Sequence, residues 1–492
     1  MMPMKEQIER KKRMGRVLCW STRDADVAEG VQVVTHRPEK KNLALVCDDA
    51  WEGACNGYAT VLRVPGGYRM YYRATTLRRA EDGSTPPYTS VICVAESRDG
   101  LHFEKPSLGL FEYNGSRENN IVWATPDFKR DTFSVMYDDS PECPPDERFR
   151  ALTEQRVGGD RWLLYLSSAD GYRFVERGTL DVRGTMDSYN AVFRDPTDGL
   201  YRLYYRAFHD REGRDLLELS EVDPVCDVRD VRLATSPDFL HWTEHGRIAF
   251  EAGQSDLSLY TNQISKYDRD GRTYLGFPVR YTDRAADAAS FLQMPLSDYR
   301  ARIIERYGRE GSALTDCLIM TSTDGRLFDR RDEAYFTPGA ESATSWWYGD
   351  CYPAYGMIET PADEPGASTE FSMYMGENYR IKNVDFRRYT LRLDGFFSWF
   401  APFSGGRVLT RPFVCQGDTL ELNLATSAAG GVRVSVCDAD GTPLEGYRSA
   451  LHFGDSTARR VDFERPLSLL RGKPLRLEFL LCDAHLYSYC LY

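Results

Sequence analysis

The 492-residue sequence contains no apolar run of the roughly 20 residues that a membrane-spanning helix needs. Its first residues, Met1 to Arg16, carry many charges and lack the apolar core of a signal peptide. The 12 cysteines include no C-x-x-C pair and do not cluster with the 7 histidines, so we expect reduced thiols and no metal site. These absences predict a cytoplasmic protein without a membrane partner.

The sequence also lacks a positive charge balance, because its formal net charge is −12 at pH 7. A nucleic-acid-binding face would need an excess of lysine and arginine, so nucleic acid is not an expected partner. Aromatic side chains, in contrast, are abundant, with 30 Tyr, 24 Phe and 8 Trp. Aromatic residues favour β-strands and can stack on sugar rings, which indicates an all-β protein with a carbohydrate partner.

A short phrase of the form Ser-x-Asp-Gly-x-x-aromatic recurs along the chain. It occupies residues 97–103, 168–174, 236–242 and 322–328, with a degenerate copy at 394–399. The Asp positions are 71, 68, 86 and 70 residues apart, and the longest step contains an insertion of helical composition at about 283–311. Asp followed by Gly suits a tight turn between two strands. Five such turns predict five four-stranded sheets, which is a five-bladed β-propeller.

The pattern changes after about residue 405, where apolar and polar residues alternate between Gly- and Asp-rich turns. This change predicts an antiparallel β-sandwich at 406–492, after an all-β propeller domain at 41–405. Residues 1–40 are predicted to be an extension that packs on the propeller. The favoured role of the sandwich is to cover a propeller edge, and carbohydrate binding is the alternative.

In a propeller, the start of each first strand and the end of each second strand meet around a central channel, where function is found. Aligning the predicted strands places polar residues at these positions. The first-strand starts are Glu52, Asn119, Asn120, Asp187, Tyr260, Thr261, Asn262 and Asp350, and the second-strand ends are Arg73, Asp138, Arg206, Arg280 and Glu377. We expect these side chains to gather at one end of the channel, because successive blades are arranged radially.

Carboxylates that lie close together raise one another's proton affinity, so an acid and a base can coexist at neutral pH. Cleavage of a glycosidic bond uses such a pair and needs no cofactor. The candidate catalytic residues are Glu52, Asp187, Asp350 and Glu377. The candidate sugar-binding residues are Arg73, Asn119, Asn120, Asp138, Arg206, Tyr260, Asn262, Arg280 and Trp347. Each of these candidate residues could instead form a hydrogen bond with a backbone group or link two blades.

The propeller segment resembles the five-bladed propeller glycoside hydrolases of families 32, 43 and 68. The resemblance covers roughly residues 40–405 and includes the Ser-x-Asp-Gly turns, the Trp51-Glu52 pair and the two Tyr-Tyr-Arg-Ala segments at 71–74 and 204–207. A poorly characterised bacterial family-32-like branch also carries phrases similar to residues 118–122, 260–263 and 388–395. The Asn-Asp-Pro-Asn-Gly signature of fructosidases is absent.

The resemblance implies a catalytic trio from different blades. By position Glu52 stands for the first member, where the families have Asp, and Asp187 stands for the second. The third place, that of the proton donor, falls on Asp350 or Glu377, while Asp256 is nearest in chain order.

Three functions are compatible with this sequence. The first is a glycosidase acting on a small oligosaccharide or glycoside. The second is an enzyme for anionic sugars, or a glycoside phosphorylase, that uses Arg73, Arg206 and Arg280 to hold a carboxylate or a phosphate. The third is a sugar-binding propeller without catalysis. The insertion could gate the pocket or contact a second subunit, so a homo-oligomer is also possible.

Overall fold

The Ser-x-Asp-Gly phrases form tight turns, as the sequence predicts. In the computed structural model, which describes residues 4–127, 132–363, 366 and 369–492, Ser97 ends a strand and its Oγ accepts the N–H of Gly100 at 2.8 Å. Asp99 Oδ1 accepts the N–H of Leu101 at 2.8 Å, and Gly100 has a φ of 78°. The third copy holds Phe239 in a similar conformation, with a φ of 70°. The Ser and Asp side chains therefore complete the backbone hydrogen bonds of these turns.

Four sheets are antiparallel meanders that form a propeller-like arrangement, and we number them 1, 2, 3 and 5. Sheet 1 consists of Gly57–Val64, Gly67–Thr75, Ser90–Ser97 and Ile121–Trp123. Sheet 2 consists of Phe133–Tyr137, Phe149–Val157, Asp160–Ser168 and Val175–Thr179. Sheet 3 consists of Ala191–Arg194, Tyr201–His209, Val228–Ser236 and Thr243–Arg247, with Asp215–Leu216 beside its second strand. Sheet 5 consists of Ile358–Pro361, Thr369–Glu377, Asp385–Leu391 and Glu39–Leu45.

Sheet 4 is larger and less regular than these four. Its seven strands are Ala249–Phe250, Leu259–Thr261, Ser265–Lys266, Tyr274–Gly276, Val279–Asp283, Ala313–Ser322 and Leu327–Phe336. The first of them pairs in parallel with the last. The structure therefore shows four blade-like sheets and one larger sheet, rather than the five equal blades that the sequence predicts.

Buried apolar side chains fill the spaces between consecutive sheets. Five clusters lie between sheets 1 and 2, 2 and 3, 3 and 4, 4 and 5, and 5 and 1. The turns also dock across these spaces, because Tyr71 OH of sheet 1 donates to Gly171 O of the sheet 2 turn at 2.9 Å. Tyr204 OH of sheet 3 donates in the same way to Gly325 O of the sheet 4 turn at 2.8 Å. Each Tyr-Tyr-Arg-Ala segment therefore begins with a tyrosine that binds the next turn of the repeat.

The C-terminal strands belong to one ten-stranded sheet that also contains strands from the N-terminal part of the chain. Its members are Arg16–Leu18, Ala25–Glu29, Gln32–Thr35, Phe397–Ala401, Gly406–Thr410, Phe413–Val414, Leu420–Cys437, Pro443–Arg448, Asp455–Val461 and Pro474–Leu491. One sheet in place of the predicted two leaves the sandwich unconfirmed. The predicted boundaries at residues 40 and 405 stay predictions, although Glu39–Leu45 crosses the first of them.

One strand assignment made from the sequence is wrong. Asn119 and Asn120 were predicted to open the second blade, but Ile121–Trp123 pairs with Ser90–Ser97 and is the last strand of sheet 1. The first strand of sheet 2 is Phe133–Tyr137, so Asp138 follows a first strand instead of ending a second one. The period-2 alternation is the same in both strands, and only the pairing distinguishes them.

The helices of the described residues are short, and those of the insertion lie where the sequence predicts them. The α-helices are Met4–Gly15, Ala288–Phe291, Ser297–Tyr307 and Arg309–Ser312, and the 3₁₀ turns are Pro145–Glu147, Leu219–Glu221, Ala285–Asp287 and Leu467–Leu470. Within the described ranges, no helix has the length and apolar character needed to cross a membrane. The cytoplasmic location stays a prediction. All twelve cysteines are free thiols, and ten of them are buried.

Candidate active site

A cavity of about 990 Å³ lies where the five sheets converge. All five sheets, or the segments that lead into them, contribute to its wall, as do the loop 76–89 of sheet 1 and the insertion in sheet 4. The wall contains six arginines and four carboxylates, namely Arg73, Arg79, Arg156, Arg161, Arg309 and Arg380 with Asp127, Glu154, Asp187 and Glu310. Tyrosines form most of its aromatic surface. A cavity of this size holds a small ligand, and its polar lining suits one rich in hydroxyl or charged groups.

Three of the predicted site residues meet in this wall or directly behind it. Asp187 lines the cavity, its side chain is 24% exposed, and its Oδ1 accepts a hydrogen bond from Arg206 Nη1 at 3.3 Å. Arg206 is buried, donates to the carbonyl O of Tyr260 and stacks 4.4 Å from the Tyr260 ring centre. Tyr260 itself lines the cavity. Asp187 is therefore an accessible carboxylate held by a buried cation and bordered by an aromatic plane.

Arg73 also lines the cavity, where it differs from Arg206 in its partners. Its Nη2 donates to the carbonyl O of Cys55 at 2.8 Å, and its guanidinium lies 4.8 Å from the ring centre of Tyr58. Both Cys55 and Tyr58 belong to the wall. Of the arginines near the ends of the second strands of sheets 1 and 3, Arg73 thus lines the cavity and Arg206 lies behind its wall.

Glu52 does not reach the cavity. It is 3% exposed, and its carboxylate accepts hydrogen bonds from Tyr72 OH at 2.5 Å, the N–H of Asp49 at 2.9 Å and Lys105 Nζ at 3.0 Å. Burial raises the pKa of Glu52 above its ordinary value. The structure therefore separates Glu52 from Asp187, which the sequence places at one rim.

Lys105 occupies the centre of an acidic trio beside Glu52. Its Nζ lies 3.0 Å from Asp48, 2.7 Å from Asp49 and 3.0 Å from Glu52. Three carboxylates at these distances could bind a divalent cation, but the lysine ammonium already supplies the positive charge. We therefore interpret this cluster as an ion-pair network that closes the end of sheet 1.

The two candidate proton donors differ in environment. Asp350 is buried, its Oδ2 accepts the N–H of Trp347 at 3.0 Å, and burial raises its pKa to about 7. Burial also acts to raise the pKa of Glu377, but ion pairs with Lys40 at 2.5 Å and Arg387 at 2.7 Å outweigh it and lower the pKa overall. Neither side chain lines the cavity, although Gly349, next to Asp350, does. Of the two, Asp350 alone has the proton affinity of a general acid at neutral pH.

The remaining predicted residues stabilise the fold instead of lining the cavity. They are Asn119, Asn120, Asp138, Asn262, Arg280 and Trp347. Arg280 forms a bidentate pair with Asp316 at 2.9 and 2.5 Å. Asp138 accepts Tyr201 OH of sheet 3 at 2.5 Å and so joins two sheets. These polar groups form hydrogen bonds or ion pairs inside the protein, so none of them is directed to a sugar in the cavity.

Several wall residues were missed by the sequence analysis. Because the second strand of sheet 2 is Phe149–Val157, its end supplies Glu154 in place of Asp138, and Glu154 pairs with Arg161 at 2.8 Å. The insertion supplies Tyr307, Arg309 and Glu310, and the segment after the second strand of sheet 5 supplies Tyr379 and Arg380. The correct strand order of sheet 2 would have identified Glu154. For the insertion, the signal in the sequence was the length of the longest step between copies of the repeat.

The cavity wall carries strained backbone. Tyr58, Gln263 and Arg380 line the cavity with φ of 46°, 40° and 68°, in the left-handed region that non-glycine residues rarely adopt. Met186, before Asp187, has a φ of 53°, and Cys351 has a φ of 61°. Such strain costs about 1–3 kcal/mol per residue and persists where the structure requires a particular side-chain position. Three of the twelve non-glycine residues with positive φ in the described part of the chain therefore line this one cavity.

Comparison with known proteins finds similar structures only. No family model and no curated protein matches the chain. A solved structure named glycoside hydrolase shares 13% identity over 72% of this chain and 92% of its own, with a TM-score of 0.45. A glycosyl hydrolase from Bacteroides ovatus shares 13% identity over 72% of this chain and 93% of its own, with a TM-score of 0.38. A β-1,2-mannobiose phosphorylase from Listeria innocua shares 12% identity over 72% and 96%, with a TM-score of 0.38.

Proposed function

We propose that this protein is a glycosidase that cleaves a glycosidic bond of a small oligosaccharide or glycoside in the 990 Å³ cavity. The observation that carries the proposal is the position of Asp187, an accessible carboxylate in a polar and tyrosine-rich wall. Asp187 acts as the nucleophile on the sugar or as the base that activates water, and Arg206 orients it through a hydrogen bond. The tyrosine planes, with Tyr260 beside Asp187, bind the faces of the sugar rings.

Asp350 is the proposed proton donor. Its pKa of about 7 lets it hold a proton at neutral pH, and the turn that carries it forms the wall at Gly349. Cys351 and Trp346 of this turn have left-handed backbone, with φ of 61° and 64°, so the turn stores strain that a rearrangement on substrate binding would release. Glu52 and Glu377 are assigned structural roles, because both are paired inside the protein.

We also propose that sheet 4 is the fifth blade. Leu259–Thr261 and Ser265–Lys266 read as one interrupted first strand, and Tyr274–Gly276 and Val279–Asp283 read as one interrupted second strand. Support comes from the apolar clusters that join sheet 4 to both of its neighbours. An experimental structure in which sheet 4 lay outside the ring would refute this. The C-terminal sandwich stays a proposal of the same kind, based on the buried cluster of the ten-stranded sheet.

The test is the variant Asp187→Asn, compared with Asp181→Asn at an exposed position outside the cavity. Both variants are assayed by the release of reducing sugar from a panel of glycosides and short oligosaccharides. We expect Asp187→Asn to lower kcat/KM by at least about 10²-fold without a change in Tm, while Asp181→Asn resembles the parent. Equal activity of Asp187→Asn and the parent would contradict the assignment.

The second candidate function is phosphorolysis, or hydrolysis of an anionic sugar. It is favoured by the six arginines of the wall, although Arg73 alone of the three arginines predicted for this role is among them. Release of sugar that requires inorganic phosphate identifies a phosphorylase, and release from neutral glycosides without phosphate identifies a hydrolase. Binding of glycans without turnover of any of them would identify a sugar-binding propeller.

A further inference from the structure

We propose that the part of the cavity between loop 76–89 and the insertion is a subsite for an oxyanion, either a carboxylate on the sugar or a phosphate. It is built from Arg79 and Arg380, which share the carboxylate of Glu310. The inference rests on the proposed function in one respect, namely that the oxyanion belongs to the substrate or to its co-reactant. Binding of the oxyanion can be measured without turnover.

Arg79 is the centre of this subsite. Its side chain is 6% exposed, and its Nη2 pairs with Glu310 Oε2. Its Nε and Nη1 are also buried, and they have no hydrogen-bond partner among the described residues. The guanidinium lies 3.6 Å from the ring centre of Tyr307, which fixes its plane. Each of these two buried nitrogens keeps an N–H on a held plane that can donate to an oxyanion, and such charge-assisted hydrogen bonds are strong.

Arg380 faces the same carboxylate from sheet 5. Its Nη1 lies 2.6 Å from Glu310 Oε2, its guanidinium lies 4.7 Å from the ring centre of Tyr348, and its Nε is buried without a partner in the described part of the chain. Its backbone is left-handed, with a φ of 68°. A strained backbone that places a guanidinium at this point is costly, which indicates that the position itself is required.

The charges of the cluster do not balance. Burial acts to raise the pKa of Glu310, but its ion pairs with Arg380 and Arg79 outweigh this and lower the pKa, so Glu310 carries one negative charge. Two guanidinium groups share that single charge, and Arg309 adds a third to the same wall. Excess buried positive charge is unfavourable until an anion compensates it. A neutral sugar hydroxyl would satisfy the N–H groups but not the charge, so we assign the subsite to an oxyanion.

The test measures binding by isothermal titration calorimetry with inorganic phosphate, glucuronate and glucose as separate probes. We expect the parent to bind phosphate or glucuronate and not glucose, with affinity that falls as salt rises. Arg79→Gln should weaken this binding at least about tenfold. The matched control is Arg78→Gln, at an exposed neighbour that bonds Asn383 outside the cavity and should leave binding unchanged.

The choice of probe decides the source of the oxyanion. Binding of phosphate alone indicates a co-reactant, and binding of glucuronate indicates an acidic substrate. Binding of neither probe, or equal losses in the Arg78 and Arg79 variants, would overturn the subsite. Should Arg79→Gln fail to fold, Arg79→Lys carries the test, because it keeps the charge but loses the planar set of guanidinium donors and should bind with intermediate affinity. Anion binding without glycoside turnover would instead count against the proposed function alone.

Discussion

Sheets 1 and 3 share the Tyr-Tyr-Arg-Ala segment in their second strands, yet the carboxylates before their first strands lie in opposite surroundings. Asp187, before sheet 3, lines the cavity beside Arg206, whereas Glu52, before sheet 1, is buried against Tyr72 and Lys105. Each opening contains an asparagine whose Oδ1 accepts a backbone N–H of the second strand, at 2.9 Å for Asn56 and 3.1 Å for Asn190. The N–H groups belong to Thr75 and Arg206, so the two asparagines play similar roles at second-strand positions that differ by two in the Tyr-Tyr-Arg-Ala alignment.

The two acids also stand at different sequence positions relative to these asparagines. Asp187 lies three positions before Asn190, and the residue three positions before Asn56 is Gly53, not Glu52. A side chain at Gly53 has no space, because a Cβ there would lie 2.5 Å from Thr75 O. Without a carboxylate at this place, Arg73 donates to Cys55 O, where its counterpart Arg206 binds Asp187. Glu52 thus stands four positions before its asparagine and lies in the core, whereas Asp187 stands three positions before its own and lines the cavity.

The largest effect that separates the two acids is on catalysis. Asp187→Asn removes the charge that acts on the sugar, so kcat should fall by about 10³-fold. Glu52→Gln keeps an acceptor for Tyr72 and lies outside the cavity, so its kcat should stay within a few-fold of the parent below its Tm. Steady-state kinetics on the same glycoside checks both. A loss of similar size in both variants would mean that Glu52 takes part in the reaction.

The opening of sheet 5 gives the second largest effect, on the pH dependence of stability. Burial raises the pKa of Asp350 from 3.8 to about 7, so between these values the folded protein binds a proton that the unfolded chain has released. The free energy of unfolding should therefore fall as pH rises from about 4 to 7, by up to roughly 4 kcal/mol, and stay level above. Asp350→Asn should remove this fall.

Urea unfolding of the parent and of Asp350→Asn across this pH range provides the measurement. Asp363→Asn, at a surface-exposed carboxylate of the same sheet, is the control and should keep the slope of the parent. Parallel curves for the parent and Asp350→Asn would show that Asp350 is ionised in the folded protein and is no proton donor.

The third effect is on stability at constant pH. Glu52→Ala leaves Lys105 half-buried with one partner fewer and removes the acceptor of Tyr72, and loss of one member of a buried ion pair costs about 3 kcal/mol. Asp187→Ala removes a partly exposed carboxylate, and Arg206 keeps its hydrogen bond to the carbonyl O of Tyr260, so the cost should be smaller, about 1.5 kcal/mol. The free energies of unfolding in urea measure both. The reverse order would mean that Asp187 is the structural acid.

Much of the fold could be predicted because hydrogen bonds between residues close in sequence stabilise each copy of its repeat. The Ser, Asp and Gly of each turn bond within a few residues of one another, so the sequence alone identifies the turns. The site depends instead on which strands pair. The sequence of Ile121–Trp123 is equally compatible with the last strand of sheet 1 and with the first strand of sheet 2. That single ambiguity replaced Glu154 by Asp138 in the predicted rim.

The arginine cluster was beyond prediction for a related reason. Arg79, Glu310 and Arg380 come from a loop, an insertion and the end of sheet 5, and no repeat relates the three segments. Their meeting is a property of tertiary packing. The insertion was visible as a long step between repeats, but its length carries no information on which side chains it directs toward the cavity.

The smallest expected effect tests whether packing excludes an acid from position 53 at the opening of sheet 1. Gly53→Asp places a carboxylate three positions before Asn56, as Asp187 stands before Asn190. Its Cβ would lie 2.5 Å from Thr75 O and 3.0 Å from the Thr76 Cα, so the backbone must shift, at a cost of about 2 kcal/mol. Gly57→Asp is the matched control, because Gly57, like Gly53, has no positive φ and a Cβ there meets only Arg73 Nη2, at 3.8 Å. Equal losses at the two positions in urea unfolding would mean that the opening of sheet 1 has room for an acid, and that its place in the core is not imposed by packing.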